Sequence, residues 1–174
     1  HGRTAGAAAV SWGSERWYGF PAKPFGVEFV PRGDYGMLAK AVDETTAALI
    51  LEPVQGLAGA YALGRDFLLA AREATTRAGA LLIFDEVQCG MGRTGKLWAH
   101  EWAGIAPDIM ATAKALGGGF PIGACLATNE AAKGMKPGSH GSTFGGNPLA
   151  MAVGKVAVEE LSSPATLDNV REIS

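Results

Sequence analysis

The sequence predicts an α/β fold: a mostly parallel sheet with helices on both faces. Three observations lead there. Short, nearly continuous apolar runs recur at residues 47–51, 81–85, 109–113 and 124–128. Helical patterns fall between and after these runs, and strands buried on both faces need helices to cover them. Two of the runs end on chemistry, one on the carboxylates Asp85-Glu86 and one on a lone lysine, Lys114. Open α/β sheets bind ligands outside the carboxyl ends of their strands, so charges surfacing there mark a candidate site.

Each element has a local cause. Residues 1–26 are rich in Gly, Pro and aromatics, which predicts an ordered but irregular connection. Val27, Glu28, Phe29 and Val30 read as a short strand stopped by Pro31, and Asp34 as the cap of a helix reaching Val42. Pro53 ends the strand at 47–51, and QGLAGAYALG reads as a turn. In a helix over 66–78, Phe67, Leu68, Ala71, Ala74 and Ala78 share one face, and Gly79 sits where a C-terminal cap belongs. Asn147-Pro148 supplies an N-cap and a first-turn proline for a helix to Leu161. Ser163-Pro164 breaks that helix, and another starts near Ala165. Nothing in the composition splits the chain into two domains.

Composition narrows the function classes. The chain has 174 residues, 48% hydrophobic and 18% charged, enough for one core and unlike a disordered tail. A net charge of −2 without a basic stripe argues against a nucleic-acid partner. No apolar run is long enough to span a bilayer. Cys89 and Cys125 form no CxxC pair and read as reduced thiols of a cytoplasmic protein. No secretory pattern opens the chain, and no metal site is expected. His1 begins a segment that reads like a loop inside a larger protein, so a fragment is expected.

Gly90-Met91-Gly92-Arg93-Thr94-Gly95 matches GxGxxG, the fingerprint of dinucleotide folds. The strand before it ends in two carboxylates, which would face a pyrophosphate, and no ribose-binding acid follows at the required spacing. The loop reads instead as a turn allowing close backbone approach to a ligand or subunit. Lys114 follows an apolar strand and precedes Leu116-Gly117-Gly118-Gly119 and Phe120-Pro121, leaving room for a bulky group beside the amine. A lysine in such a place can attack a carbonyl and form a Schiff base. Asp85 could then pair with a cation such as a protonated pyridine nitrogen, or be an ordinary structural acid.

With these residues in view, the chain resembles the class III (ornithine/acetylornithine-type) pyridoxal-phosphate aminotransferases. Four ordered stretches carry the resemblance: Glu52-Pro53-Val54-Gln55-Gly56, Phe84-Asp85-Glu86-Val87-Gln88, Thr112-Ala113-Lys114-Ala115-Leu116-Gly117-Gly118-Gly119, and His140-Gly141-Ser142-Thr143-Phe144-Gly145-Gly146-Asn147-Pro148. The spacing of 29 positions from Asp85 to Lys114 also matches that family. The likeness covers essentially the whole chain. It implies the large domain of a fold-type I enzyme with pyridoxal 5′-phosphate as cofactor. It further implies amino transfer from an amino acid such as N-acetylornithine or ornithine to 2-oxoglutarate, as in arginine biosynthesis.

The resemblance also implies roles, position by position. Lys114 would hold the cofactor as a Schiff base and afterwards move the proton at the substrate's Cα. Asp85 would keep the pyridine nitrogen protonated. Val87, two residues on and on the same strand face, would pack under the ring, and Gln88 would hydrogen-bond the ring hydroxyl. Thr143, with Ser142, would bind the phosphate of a neighbouring subunit's cofactor, which implies a homodimer with shared active sites. Read by itself, Ser142-Thr143 is a polar loop before a capped helix. The family's phosphate loop is expected before His1 and its small domain after Ser174, so the fragment alone is expected to be inactive.

One position departs from the pattern. The family usually carries a substrate-switch glutamate after Gln-Gly, and here that position is Leu57. A leucine cannot form the corresponding ion pair, so the amino donor stays open. Glu52 is a candidate substrate-side acid, or equally a structural strand-end carboxylate. An aminomutase of the glutamate-semialdehyde type is the alternative within the same cofactor class; a dinucleotide-dependent oxidoreductase is a remoter one, and a non-catalytic assembly module a third.

Overall fold

The computed structural model describes residues 1–13, 16 and 18–174. Helix α1 (Ala5–Ala9) is followed by α2 (Tyr35–Ala41), strand β1 (Ala48–Leu51), and a ribbon of β2 (Val54–Gln55) and β3 (Tyr61–Ala62). Then come α3 (Arg65–Ala78), β4 (Leu81–Asp85), β5 (Ile109–Thr112), β6 (Ala124–Ala127), α4 (Asn129–Ala132), α5 (Pro148–Leu161) and α6 (Pro164–Ile173). Ser14, Glu15 and Trp17, within the expected irregular connection, lie outside the described residues.

The main sheet has the order β1-β4-β5-β6. β1, β4 and β5 are parallel, with Leu51 level with Phe84, and Phe84 with Met110. β6 is antiparallel to β5. The 11 residues between these two strands are fewer than a parallel crossover needs. One row of side chains, Leu51, Leu82 and Phe84, is buried against Phe67, Leu68, Ala71 and Ala74 of α3. By strand alternation Leu81, Ile83 and Asp85 face the other way, and Leu81 and Ile83 are only partly buried.

Local chemistry sets the helix ends as expected. Asp34 accepts the Met37 N–H at 2.8 Å, Asn147 accepts that of Ala150 at 2.9 Å, and Ser163 accepts that of Thr166 at 3.3 Å. Each satisfies a first-turn donor that the helix cannot. Gly79 closes α3 in the left-handed region at φ 71°.

Four local expectations are corrected. Residues 27–30 are not a strand: among the described residues no neighbour pairs with them, and Phe29 packs edge-on against Trp12, with ring centroids 5.4 Å apart. The alanine-rich segment after Thr4 forms α1, a single short helix held by burial of Ala8 and Ala9. Within the expected turn after Pro53, β2 and β3 pair as a two-residue ribbon. Finally, β4 stops at Asp85, so Val87 sits in the following turn, where its N–H donates to Asp85 Oδ1 at 3.1 Å. The carboxylate competes with the ladder for that backbone donor and ends the strand.

The GxGxxG loop approaches the chain's own C-terminal helices closely. A Cβ on Gly92 would lie 3.1 Å from the Leu161 carbonyl oxygen, and one on Gly95 would lie 2.6 Å from Arg171 Cγ. Arg171 in turn donates to the Gly95 carbonyl. A short 3-10 turn at Ala99–Trp102 follows this loop instead of a long helix, which removes the geometry for pyrophosphate binding. Among the described residues no helix is long and apolar enough to cross a membrane.

Candidate active site

The three parallel strands end at one edge, and the parallel registers decide which residues meet there. Asp85 is level with Ala111, so Lys114 lies three positions beyond it on the neighbouring strand's exit. Glu52 follows Leu51, which is level with Phe84, so Glu52 and Asp85 leave the sheet side by side. Lys114, Asp85 and Glu52 thus gather on residues far apart in the chain.

Lys114 opens a 3-10 turn, Lys114–Gly117, with φ 45°. For a residue with a side chain this left-handed conformation costs about 1 kcal/mol or more, and such strain clusters at functional sites. The side chain is exposed, and Nζ donates to Gln88 Oε1 at 3.2 Å. A Cβ added to Gly118 or Gly119 would meet nothing within 4 Å, so the turn that follows the lysine is open.

Gln88 stays in reach because Gly56 lets it. A Cβ on Gly56 would stand 2.3 Å from Gln88 Cδ and Nε2. The Gly56 N–H also donates to Glu52 Oε2 at 3.3 Å. Burial pushes the Glu52 carboxyl above its usual range; the Gly56 hydrogen bond opposes this, the Asp85 charge adds to it, and the Lys114 charge opposes it.

Asp85 is buried, with both oxygens engaged. Oδ1 accepts from Val87 N–H, and Oδ2 lies 2.9 Å from His1 Nδ1. His1 is the residue that sequence reasoning left without a role. It stands 84 positions away, and no periodicity links such a pair.

Glu86, the second carboxylate of the strand end, turns out to be a brace. It is 1% exposed and accepts the N–H groups of Ala99 and His100 and the His100 Nδ1 contact, each at 2.9 Å. Its charge and burial together hold the Cys89 thiol up at about 12, burial contributing most. Cys89 is therefore an inert buried thiol.

Ser142 and Thr143 lie on the exposed loop before α5, and the Ser142 hydroxyl accepts the Gly145 N–H at 2.9 Å. Among the described residues, no hydrogen bond joins either to Lys114, Asp85, Gln88 or Glu52. Val87 is half-buried beside Asp85, and Leu57 stands 96% exposed at the rim. Cavities of about 240 and 270 Å³ open elsewhere, beside Pro107 and Met110 and between Leu68 and Trp102. The lysine site is an open edge and not part of either.

A sequence profile of the class-III aminotransferases matches residues 1–174. The chain belongs to that family. It is similar to acetylornithine aminotransferase 2 of Caulobacter vibrioides, 57% identical over 100% of this chain and 44% of that protein. It is similar too to acetylornithine aminotransferase of Brucella melitensis, 52% identical over 98% of this chain and 42% of that protein. The chain therefore spans less than half the length of these curated relatives. Among solved structures, ornithine aminotransferase of Toxoplasma gondii superposes with a TM-score of 0.88 at 37% identity, over 96% of this chain and 40% of that one. N-acetylornithine aminotransferase of Stenotrophomonas maltophilia gives 0.75 at 42% identity, over 83% and 37%. The Toxoplasma structure is described as having pyridoxal phosphate at partial occupancy in its active site. These likenesses agree with the α/β fold and with a mostly parallel sheet.

Proposed function

We propose that the protein is a pyridoxal 5′-phosphate-dependent aminotransferase, moving an amino group from an amino acid such as N-acetylornithine or ornithine to 2-oxoglutarate. The observation that carries this reading is the placement of Asp85 at the carboxyl end of β4 and of Lys114 just past that of the adjacent parallel β5, with Gln88 hydrogen-bonded to the lysine amine. The relatives' names favour the acetylornithine and ornithine class of donor.

The donor set fits that cofactor. A primary amine matches an aldehyde, a carboxylate matches a pyridinium, and an amide N–H matches a phenolic oxygen. Oδ1 of Asp85 accepts from Val87 N–H and Oδ2 meets His1 Nδ1, and a carboxylate oxygen has a second lone pair with which to accept a ring N–H. When bound, the cofactor supplies an electron sink for charge developing at the substrate's Cα.

The protein's own residues then divide the work. Lys114 Nζ would hold the cofactor by its aldehyde and, when free, would carry the proton on and off the substrate's Cα. Asp85 holds the proton on the ring nitrogen. Gln88 keeps Lys114 in place through Oε1 and offers its amide N–H to the ring hydroxyl. Val87, in the turn beyond β4, would pack against the ring. Glu52, held by the Gly56 N–H, faces the substrate side. Ser142 and Thr143 serve the phosphate of a partner subunit's cofactor, so the working unit is a cytoplasmic homodimer with shared sites. In this reading residues 1–174 form part of the cofactor-binding large domain, and the rest of the protein completes the pocket.

Borohydride reduction of the holoenzyme followed by peptide mass mapping tests the central assignment. The cofactor's mass is expected on Lys114, and its appearance on another lysine overturns the reading. An assay of 2-oxoglutarate consumption separates transfer from an aminomutase, a reading that Leu57 keeps in play, since a mutase consumes no 2-oxo acid.

A further inference from the structure

We infer that Ile122 is the positioning residue of Lys114. It is a wedge between the lysine turn and α5 that holds the lysine's backbone in its left-handed conformation and keeps the amine beside Gln88. This rests on the reading of Lys114 as the cofactor's lysine. Lys114 stands at φ 45°, a conformation that a residue with a side chain keeps only where its surroundings enforce it. The turn's own hydrogen bonds close it, Leu116 N–H to the Ala113 carbonyl at 2.9 Å and Gly118 N–H to that of Ala115 at 3.1 Å. They do not set where the turn stands against the rest of the protein.

Ile122 supplies that support. A Cβ on Gly117 would lie 2.6 Å from Ile122 Cγ2, so the methyl on the β-branch fills the place a side chain would take in the turn. A Cβ on Gly154 of α5 would lie 3.5 Å from Ile122 Cδ1 and 3.9 Å from the Leu116 carbonyl oxygen. One side chain thus spans from the lysine turn to the buried face of α5, where Ala150 and Gly154 lie four residues apart. Its backbone is anchored independently. Two residues on, Ala124 of β6 is level with Thr112 of β5, the strand that delivers the lysine. Branching at Cβ restricts χ1, which makes the wedge stiff. Without Cγ2 the Gly117 peptide can drop into the space and Lys114 can relax toward negative φ. Nζ then leaves Gln88 Oε1, now 3.2 Å away.

The rival is ordinary packing, in which Ile122 contributes only buried volume. Two substitutions separate the readings. Ile122→Val keeps Cγ2 and loses Cδ1, whereas Ile122→Leu keeps the volume and loses the branch at Cβ. Packing alone makes Val the more damaging change, since it leaves the larger void, and leaves Lys114 untouched in both. The wedge makes Leu the more damaging change, and the effect appears at Lys114. The full-length protein, freed of cofactor, is labelled with limiting acetic anhydride, and peptide mass mapping compares Lys114 with Lys155, an exposed lysine of α5. In Ile122→Leu the freed Lys114 amine should label several-fold faster than in wild type. The kcat of the holoenzyme should fall roughly 10- to 100-fold, the scale of a small misplacement of a reacting group, with KM changed far less. Ile122→Val should stay close to wild type in both readouts.

A wild-type value of either readout in Ile122→Leu, or equal changes in Val and Leu, overturns the inference. Should Ile122→Leu fail to fold, Gly117→Ala decides, since its Cβ would drive Ile122 Cγ2 away. Faster labelling with lower kcat there supports the wedge, and a wild-type value of either rejects it. Failure of the cofactor to attach at Lys114 in the wild-type protein would instead remove the reading on which this rests. The labelling contrast is made without cofactor and would stand, so the two failures are distinguishable.

Discussion

A side chain on Gly56 and the amide of Gln88 cannot occupy the same place: the Cβ would lie 2.3 Å from Gln88 Cδ and Nε2. The clash involves the far end of a flexible side chain, so it can be relieved by moving Gln88. Relief, however, breaks the 3.2 Å hydrogen bond to Lys114 Nζ.

Gly56→Ala is therefore expected to harm function more than stability. Thermal unfolding should shift by no more than about 1 kcal/mol, since the overpacked group can swing away. The rate should drop several-fold, with weaker cofactor retention. A large loss of stability at unchanged rate would show that Gln88 has nowhere to go.

Glu86 gives the opposite profile. Its buried carboxylate satisfies two backbone N–H groups and the His100 ring, all at 2.9 Å. Glu86→Ala leaves these groups buried without partners, at a cost of about 3–5 kcal/mol. Urea unfolding of the full-length protein measures this directly, and a loss under about 1 kcal/mol would contradict the brace.

Glu52 carries a pH signature. Its carboxyl is raised above the usual value of 4.5, so ionisation is easier in the unfolded chain than in the folded one. Stability from this group is present below pH 4.5 and is lost as pH rises through the folded value. Glu52→Gln, which can still accept the Gly56 N–H, should thus raise Tm at pH 7 and leave it unchanged near pH 4. A destabilised variant at pH 7 would reverse the sign and show that attraction to Lys114 dominates.

Asp85→Asn tests the ring-nitrogen role. The amide keeps the size and one acceptor but cannot hold a cation's charge. Cofactor should still bind, with turnover reduced roughly 10²- to 10⁴-fold, the range for removing a positioned proton-holding group. Near-normal rates would remove Asp85 from the chemistry.

Much of this was legible locally. The strands at 48–51, 81–85, 109–112 and 124–127 are apolar runs bounded by Pro, Gly or charge, and the caps Asp34, Gly79, Asn147 and Ser163 act within four residues of themselves. Such signals survive in a linear chain because their partners are sequence neighbours. Lys114 and Asp85 were legible for the same reason, each being a charge placed directly after a buried run. Where local reading failed, tertiary packing had overridden it: Phe29 turned to Trp12 instead of a strand partner, and burial made α1 out of a five-residue alanine-rich stretch.

What the amino-acid sequence determined alone is the four strands of the main sheet and the longer helices, the identity of the lysine and carboxylate, and the family pattern around them. Only the tertiary structure decided what each charge does. Parallel register, set by which apolar faces bury together, brought Glu52, Asp85 and Lys114 to one edge. Folding split the pair Asp85-Glu86, turning one carboxylate to the site beside His1 and sealing the other beneath His100. Adjacent residues at a strand end point to opposite faces, and the partners waiting on each face came from distant parts of the chain.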